Sequence, residues 1–279
     1  MKKIRFQKTI FLSLLLMLLN SCSLHTFLQE EVEFFPDKEK TLLKIKSERS
    51  ILSIRAPVSF EIFLPGTKNG KSILHEEIGF EEGSFSANAF FVWKRPNSFR
   101  MEILSPFGNP YLSILANNKS LKIFQISKQK LYIGNFNKKT MGNLFGIPMD
   151  LHTFIEILSI MRPNLDSKFY KFDRIKGILF PLREGLENSK TFWIDKILLL
   201  PKKIKILLAG QKIFVHYNSF VKFNGSYYPK SILIRNSSTK AFMKIDIREL
   251  NSSMFGSVPS SIFLMNIPSN ISIQRLFLD

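Results

Sequence analysis

Beyond about residue 50 the chain alternates hydrophobic and polar positions with period two. The stretches S-F-R-M-E-I-L, Q-K-I-F-V-H-Y, S-I-L-I-R and A-F-M-K-I-D-I-R follow this pattern and favour β-branched or aromatic side chains, so each predicts a half-buried strand. In the last of them Met243, Ile245 and Ile247 share one face while Lys244, Asp246 and Arg248 share the other, as an antiparallel sheet with one wet face requires. Turn signals separate the runs at short intervals: Pro65-Gly66, Asn69-Gly70, Asn117-Asn118, Asn224-Gly225 and Asn236-Ser237. Short strands punctuated in this way predict an antiparallel meander.

Two stretches break the period. Residues 37–49, D-K-E-K-T-L-L-K-I-K-S-E-R, predict a short helix with Asp37 as its N-cap. Within residues 141–161, Leu151, Phe154, Ile155 and Leu158 recur at helical spacing after Asp150, an N-cap residue, and Pro163 closes the segment. Residues 164–200 are less regular, and read as a strand pair within 168–180, a polar loop over 181–190 and a further strand in F-W-I-D-K-I. The runs A-N-A-F-F-V-W and K-I-L-L-L read as strands apolar on both faces, and such a sheet must cover each face with something. Either they form the core of a sandwich, or a curved sheet encloses an apolar cavity roofed by the helix at 150–161. In the second case Phe91, Trp93, Met101, Ile103, Phe154, Ile155 and Leu158 line a space suited to acyl chains.

The N-terminus changes the picture from fold to compartment. Lys2, Lys3, Arg5 and Lys8 precede an apolar stretch of ten residues from Ile10 to Leu19, too short to span a bilayer, so residues 1–21 read as a signal peptide. It ends in Leu19-Asn20-Ser21-Cys22, which resembles a bacterial lipobox, and Cys22 is the chain's one cysteine. With no second thiol there is no intramolecular disulfide, and lipidation of Cys22 is the expected use of the one present; an ordinary secretory signal is the alternative. Residues 22–49 then form a lipidated tether with a short helix, and residues 50–279 the folded domain.

Charge and composition add less. The formal charge of +18 falls to +14 once the leader is removed, a balance that suits an anionic membrane surface; an exported chain is not expected to meet nucleic acid. The joint abundance of Lys, Ile, Asn and Phe, 28 of the last, also fits AT-rich coding. Catalytic and metal-binding constellations are missing from the sequence. His25, His75, His152 and His216 stand far apart, Glu76-Glu77 and Glu81-Glu82 read as a solvated hairpin, and no nucleophile elbow or phosphate-binding loop occurs. An enzyme, a cofactor and a metal are therefore not expected.

Residues 105–111, S-P-F-G-N-P-Y, place Ser105, Pro106 and Gly108 at positions i, i+1 and i+3 of a type I turn, which puts Phe107 at i+2, projecting from the strands. Either Phe107 folds back on Tyr111 or Leu112, or something outside the chain buries it.

The stretch F-F-V-W-K-R-P-N-S-F-R-M-E-I-L-S-P-F-G-N-P-Y-L resembles the LolB family of outer-membrane lipoproteins, within the wider LolA/LolB-like superfamily. Trp93, Arg100 and Pro106-Phe107-Gly108 fall in the family's order, and Leu144-Phe145-Gly146-Ile147-Pro148 with the helix after Asp150 stands where the family has Leu-x-Gly-x-Pro and a helix. Residues 164–190 read as an insertion. The resemblance implies a mainly β fold with short helices, an incomplete antiparallel β-barrel with a helical lid over an apolar cavity. It further implies a monomer, lipid-anchored at the outer membrane and facing the periplasm, that takes lipoproteins from a LolA-like carrier, holds their acyl chains and inserts them. Phe107, flanked by Pro106 and Gly108, would be the membrane-touching tip. A lipoprotein that binds another apolar ligand or senses envelope lipids with the same fold is the alternative.

Overall fold

The computed structural model describes residues 34–48, 51–65, 83–164, 166–183, 185–223, 225–249 and 257–276. The expected leader, Cys22, His25, His75 and the glutamate pairs lie outside the described residues, as do Gly66, Asn69-Gly70 and Asn224 of the turn signals. The chain divides into two units, residues 1–35 and 36–279. The second carries all the elements below.

Helix α1 (Lys38–Ser47) comes first, and Asp37 Oδ1 accepts from the Lys40 N–H at 2.8 Å, the cap read from the sequence. Fourteen strands then build one sheet: β1 (Ser53–Leu64), β2 (Gly83–Lys94), β3 (Ser98–Leu104), β4 (Pro110–Asn117), β5 (Ser120–Gln125), β6 (Lys130–Asn135), β7 (Tyr170–Asp173), β8 (Ile178–Pro181), β9 (Lys190–Ile194), β10 (Pro201–Leu208), β11 (Gln211–Phe223), β12 (Ser226–Asn236), β13 (Phe242–Ile247) and β14 (Ser272–Arg275). Their order is β14-β6-β5-β4-β3-β2-β1-β13-β12-β11-β10-β9-β8-β7, an open sheet with β14 and β7 at its edges. The strands expected from the alternating runs all form. Met243, Ile245 and Ile247 are buried on one face of β13, opposite Lys244 and Asp246.

Two helices interrupt the meander between β6 and β7. They are α2 (Lys138–Phe145) and α3 (Leu151–Leu158), started by Asn137 Oδ1 on the Thr140 N–H at 2.8 Å and by Asp150 Oδ1 on the Thr153 N–H at 2.7 Å. Leu151, Phe154, Ile155 and Leu158 are buried, as the helical spacing requires. Phe154 meets Phe99 of β3 edge to face, with ring centroids 5.1 Å apart, so α3 lies on the sheet. The opposite face of β2 and β4 is covered by the C-terminal segment, whose Val258 and Phe263 pack on Val92 and Leu115. A-N-A-F-F-V-W is thus apolar on both faces because each has its own cover.

The structure corrects four expectations. K-I-L-L-L, residues 196–200, is the turn between β9 and β10 rather than a strand, because Asp195 Oδ1 accepts from the Ile197 and Leu198 N–H groups and curls the chain back. Helix α3 ends at Leu158, before Met161 and Pro163, since Ser159 caps it and Ile160 adopts a left-handed φ of 62°. Helix α2, with its own N-cap, was not expected. Finally, the sheet is not wholly antiparallel: the C-terminal segment returns across it and β14 pairs parallel with β6, Ile273 opposite Leu131.

Candidate functional site

The β3–β4 hairpin closes as its sequence dictates. The Gly108 N–H donates to Ser105 O at 2.9 Å, the Ser105 N–H donates to Asn109 O at 2.8 Å, and Gly108 takes a φ of 84° that a Cβ would disfavour. Phe107 therefore stands at i+2 and is 91% exposed, more than any other large hydrophobic residue described. It does not fold back: Leu112 is buried beneath other residues, and Tyr111 lines a groove of about 500 Å³ with Phe85, Leu104 and Pro106 beside the turn. Burial pushes the Tyr111 phenol up to about 12.

The other sequence-predicted residues assemble on the helix-covered face. Across β2 and β3 the register sets Phe91 opposite Met101 and Trp93 opposite Phe99, with Ile103 opposite Ala89, so Phe91, Trp93, Met101 and Ile103 share one face. All four are buried, as are Phe154, Ile155 and Leu158 of α3. Only Met101 and Phe154 of the seven border the enclosed apolar space, together with Phe60, Phe99, Phe136, Met141, Phe145 and others. That space holds about 20 Å³, room for about one water. The side chains of α2 and α3 fill the hollow of the sheet.

Several residues that hold this arrangement escaped the sequence reading. The Tyr217 hydroxyl of β11 donates to Ile157 O at 2.9 Å and accepts from the Met161 N–H at 3.1 Å, and the Tyr228 hydroxyl of β12 donates to Leu158 O at 2.7 Å. Two phenols from the sheet thus donate to carbonyls at the end of α3. Burial raises both tyrosines' pKa values well above the usual phenol range. The Trp93 indole N–H acts electrostatically on Tyr228, yet Nε1 is buried without a partner in hydrogen-bond geometry. Arg95 donates to Ser159 Oγ at 3.0 and 2.6 Å, and Arg162 Nη1 reaches Ile45 O at 3.1 Å and Glu48 O at 2.6 Å, tying the exit of α3 to the end of α1. Burial and the Arg95 charge both lower the Arg162 pKa. A tyrosine on an otherwise aliphatic strand face was the one available signal for the phenol contacts, and it carries no information about its partner.

The motif residues find structural roles. Arg100 pairs with Glu102 at 2.6 Å and donates to Ile262 O and Leu264 O at 2.8 and 2.9 Å, fastening the C-terminal segment. Gly146 caps α2 with φ 66°, and an added Cβ there would come within 2.6 Å of Ala241 Cβ. Among the described residues no three His, Cys, Asp or Glu side chains gather as a metal site. His152 lies 3.7 Å from Glu156 on α3, and the pKa of His216 is lowered by burial and by Lys203 and Arg235.

The described residues thus define an open, mainly β sheet with short helices packed over one face and an exposed phenylalanine at the tip of the β3–β4 turn. Solved structures similar to it include a protein domain from Vibrio parahaemolyticus named for outer-membrane lipoprotein sorting (9% identity, TM-score 0.47, covering 81% of this chain and 95% of that one). They also include a LolA superfamily protein from Nitrosomonas europaea (14%, 0.41, 78% and 97%) and a DUF1329 family protein from Desulfovibrio piger (10%, 0.48, 81% and 95%). No family model and no curated protein matches the chain.

Proposed function

We propose that the protein is a lipid-anchored acceptor that receives lipoproteins from a periplasmic LolA-like carrier, holds their acyl chains beneath α2 and α3, and delivers them to the outer membrane. The observation that carries this reading is Phe107. A tight turn presents a phenylalanine that is 91% exposed, and an apolar tip of this kind stabilises contact with a lipid boundary by roughly 1.5–3 kcal/mol. That is too little to hold a protein at a membrane alone. Acyl chains on Cys22, each buried CH₂ contributing about 0.8 kcal/mol, supply the anchor, and Phe107 orients the tethered domain. The apolar face formed by Phe91, Trp93, Met101 and Ile103 under Phe154, Ile155 and Leu158 supports the acyl-binding part. Pro106 and Gly108 hold the tip in place.

The test is a Phe107 series read by melting temperature and by lipoprotein transfer into liposomes. Phe107→Glu should leave Tm within about 1 °C, because a solvent-exposed apex contributes little to stability, and should lower transfer at least tenfold, because a carboxylate resists entry into lipid. Phe107→Leu should transfer nearly as the parent does. Undiminished transfer by a well-folded Phe107→Glu protein overturns the reading in favour of a lipoprotein that binds another apolar ligand or senses lipids without transfer.

A further inference from the structure

The two hairpins at the β7 edge of the sheet are built alike. In β7–β8 the turn is Asp173-Arg174-Ile175-Lys176-Gly177, and in β9–β10 it is Asp195-Lys196-Ile197-Leu198-Leu199. Each begins with an aspartate whose Oδ1 accepts two turn N–H groups: Ile175 and Lys176, both at 3.0 Å, for Asp173, and Ile197 at 3.0 Å and Leu198 at 2.9 Å for Asp195. Each also takes a left-handed residue four positions after the aspartate, Gly177 at φ 64° and Leu199 at φ 54°. The second residue is basic and the third is isoleucine in both. Ile197 is 90% exposed and Ile175 67%.

Strand order β10-β9-β8-β7 makes the hairpins neighbours, and antiparallel pairing puts both tips at the same strand ends. The Ile194 N–H donates to Gly177 O at 2.8 Å, which joins one hairpin to the next. Two strand spacings of about 4.8 Å set the tips roughly ten ångströms apart. Arg174, Lys176, Lys196 and Lys202 are exposed around them. Both turn aspartates are engaged in capping, and the Arg174 charge also acts on Asp37. A groove of about 590 Å³ runs beside Ile197 and Leu198 and is bordered by Lys202, Lys203 and His216.

We propose that Ile175 and Ile197 form a second lipid-contacting site, specific for a bilayer surface bearing anionic headgroups, with the surrounding arginine and lysines meeting the headgroups. Two apolar tips in water beside a cluster of positive charge match such a surface in both of its layers: isoleucine enters the acyl boundary while cations stay at headgroup level. An acidic protein would satisfy the charges and leave the isoleucines in water. The site is separate from the Phe107 turn, which lies at the opposite strand ends, seven strand positions from the β9–β10 hairpin and nine from β7–β8.

The experiment uses the full chain carrying Cys22→Ser, which removes its one native thiol, together with Ile175→Cys or Ile197→Cys, labelled with an environment-sensitive fluorophore. Vesicles of phosphatidylcholine with phosphatidylglycerol should blue-shift both labels and expose them to quenching by brominated acyl chains, and vesicles of phosphatidylcholine alone should do neither. Combining Arg174→Gln, Lys176→Gln and Lys196→Gln should lower the ratio of inserted to free tip about a hundredfold at unchanged Tm. Aqueous emission from both labels on the anionic vesicles, or equal insertion into both kinds, overturns the proposal. A Phe107→Cys label read in parallel reports the acceptor's tip independently.

Discussion

Gly146 and Phe107 show how much a single position decides. Gly146 sits where α2 must stop and the β12–β13 hairpin must pass: its carbonyl accepts from Asn236 Nδ2 at 2.7 Å and from Thr239 Oγ1 at 3.1 Å, and Ala241 fills the space where a side chain would be. Gly146→Ala therefore combines a left-handed backbone strain of roughly 1–2 kcal/mol with a steric overlap in a packed junction. The expected loss is about 2 kcal/mol or more, a fall in Tm of roughly 5 °C by thermal unfolding. A Tm within 1 °C of the parent would show that the junction relaxes without cost. Phe107 is the reverse case, a large side chain that the fold does not need, and the transfer assay above asks what does need it.

Helix α3 shows how an element depends on the sheet beneath it. Eight residues are too few for a stable helix in water, where about 12–15 are needed even for good sequences, so packing and end contacts must hold it. Asp150 starts it, and Tyr217 and Tyr228 receive its last carbonyls. Tyr217→Phe and Tyr228→Phe should each cost about 1–2 kcal/mol in urea unfolding, since the first takes the hydroxyl acceptor from the Met161 N–H and the second takes the hydroxyl donor from Leu158 O. The same phenols make stability pH-dependent. Their folded pKa values are raised, so their contribution is fully present below the unfolded value near 10 and is lost as pH climbs above it. Two phenols that ionise only after unfolding give a slope of about 2.7 kcal/mol per pH unit above pH 10, and the double Phe variant should lose that slope. An equally steep alkaline limb in the double variant would place the titration elsewhere.

At the scale of the molecule, the sheet's hollow and its helices are complementary shapes. Ligand pockets usually hold about 300–1,000 Å³, and the apolar space bordered by Met101 and Phe154 is about 20 Å³, so under the proposed function an acyl chain entering it must displace α2 and α3. Both helices have eight residues and become marginal once lifted off the sheet. Saturating a fatty-acyl lipopeptide should therefore speed hydrogen exchange in α2 and α3 about tenfold while β1–β3 and β11–β13 keep their protection. Unchanged exchange in both helices at demonstrated saturation would locate the acyl chain outside the sheet's hollow. The C-terminal segment is fastened on the other face by Arg100 and by Lys94 Nζ on Val258 O at 3.1 Å, so under the proposed function that side of β2–β4 should keep its protection as well.

Local chemistry carries its own signal along the chain. The period-two runs specified their strands and inward faces, Asp37 and Asp150 marked their helices, and Ser105, Pro106 and Gly108 specified a turn that leaves Phe107 outside, because each of these outcomes depends on neighbours a few residues away. The same logic misread K-I-L-L-L, whose apolar run outweighed the capping aspartate before it, and passed over α2, whose N-cap is a lone Asn137. Non-local partnership had no such signal. The pairing of β14 with β6, the reach of Arg162 to α1, the phenols under the end of α3 and the close filling of the sheet's hollow join residues far apart in the chain, some by more than a hundred positions. The sequence by itself determined which segments become strands, helices and turns and which face of each is apolar. Which apolar face meets which, and whether any space remains between them, was decided only in the tertiary structure, since packing volume is a property of facing surfaces and not of either one alone.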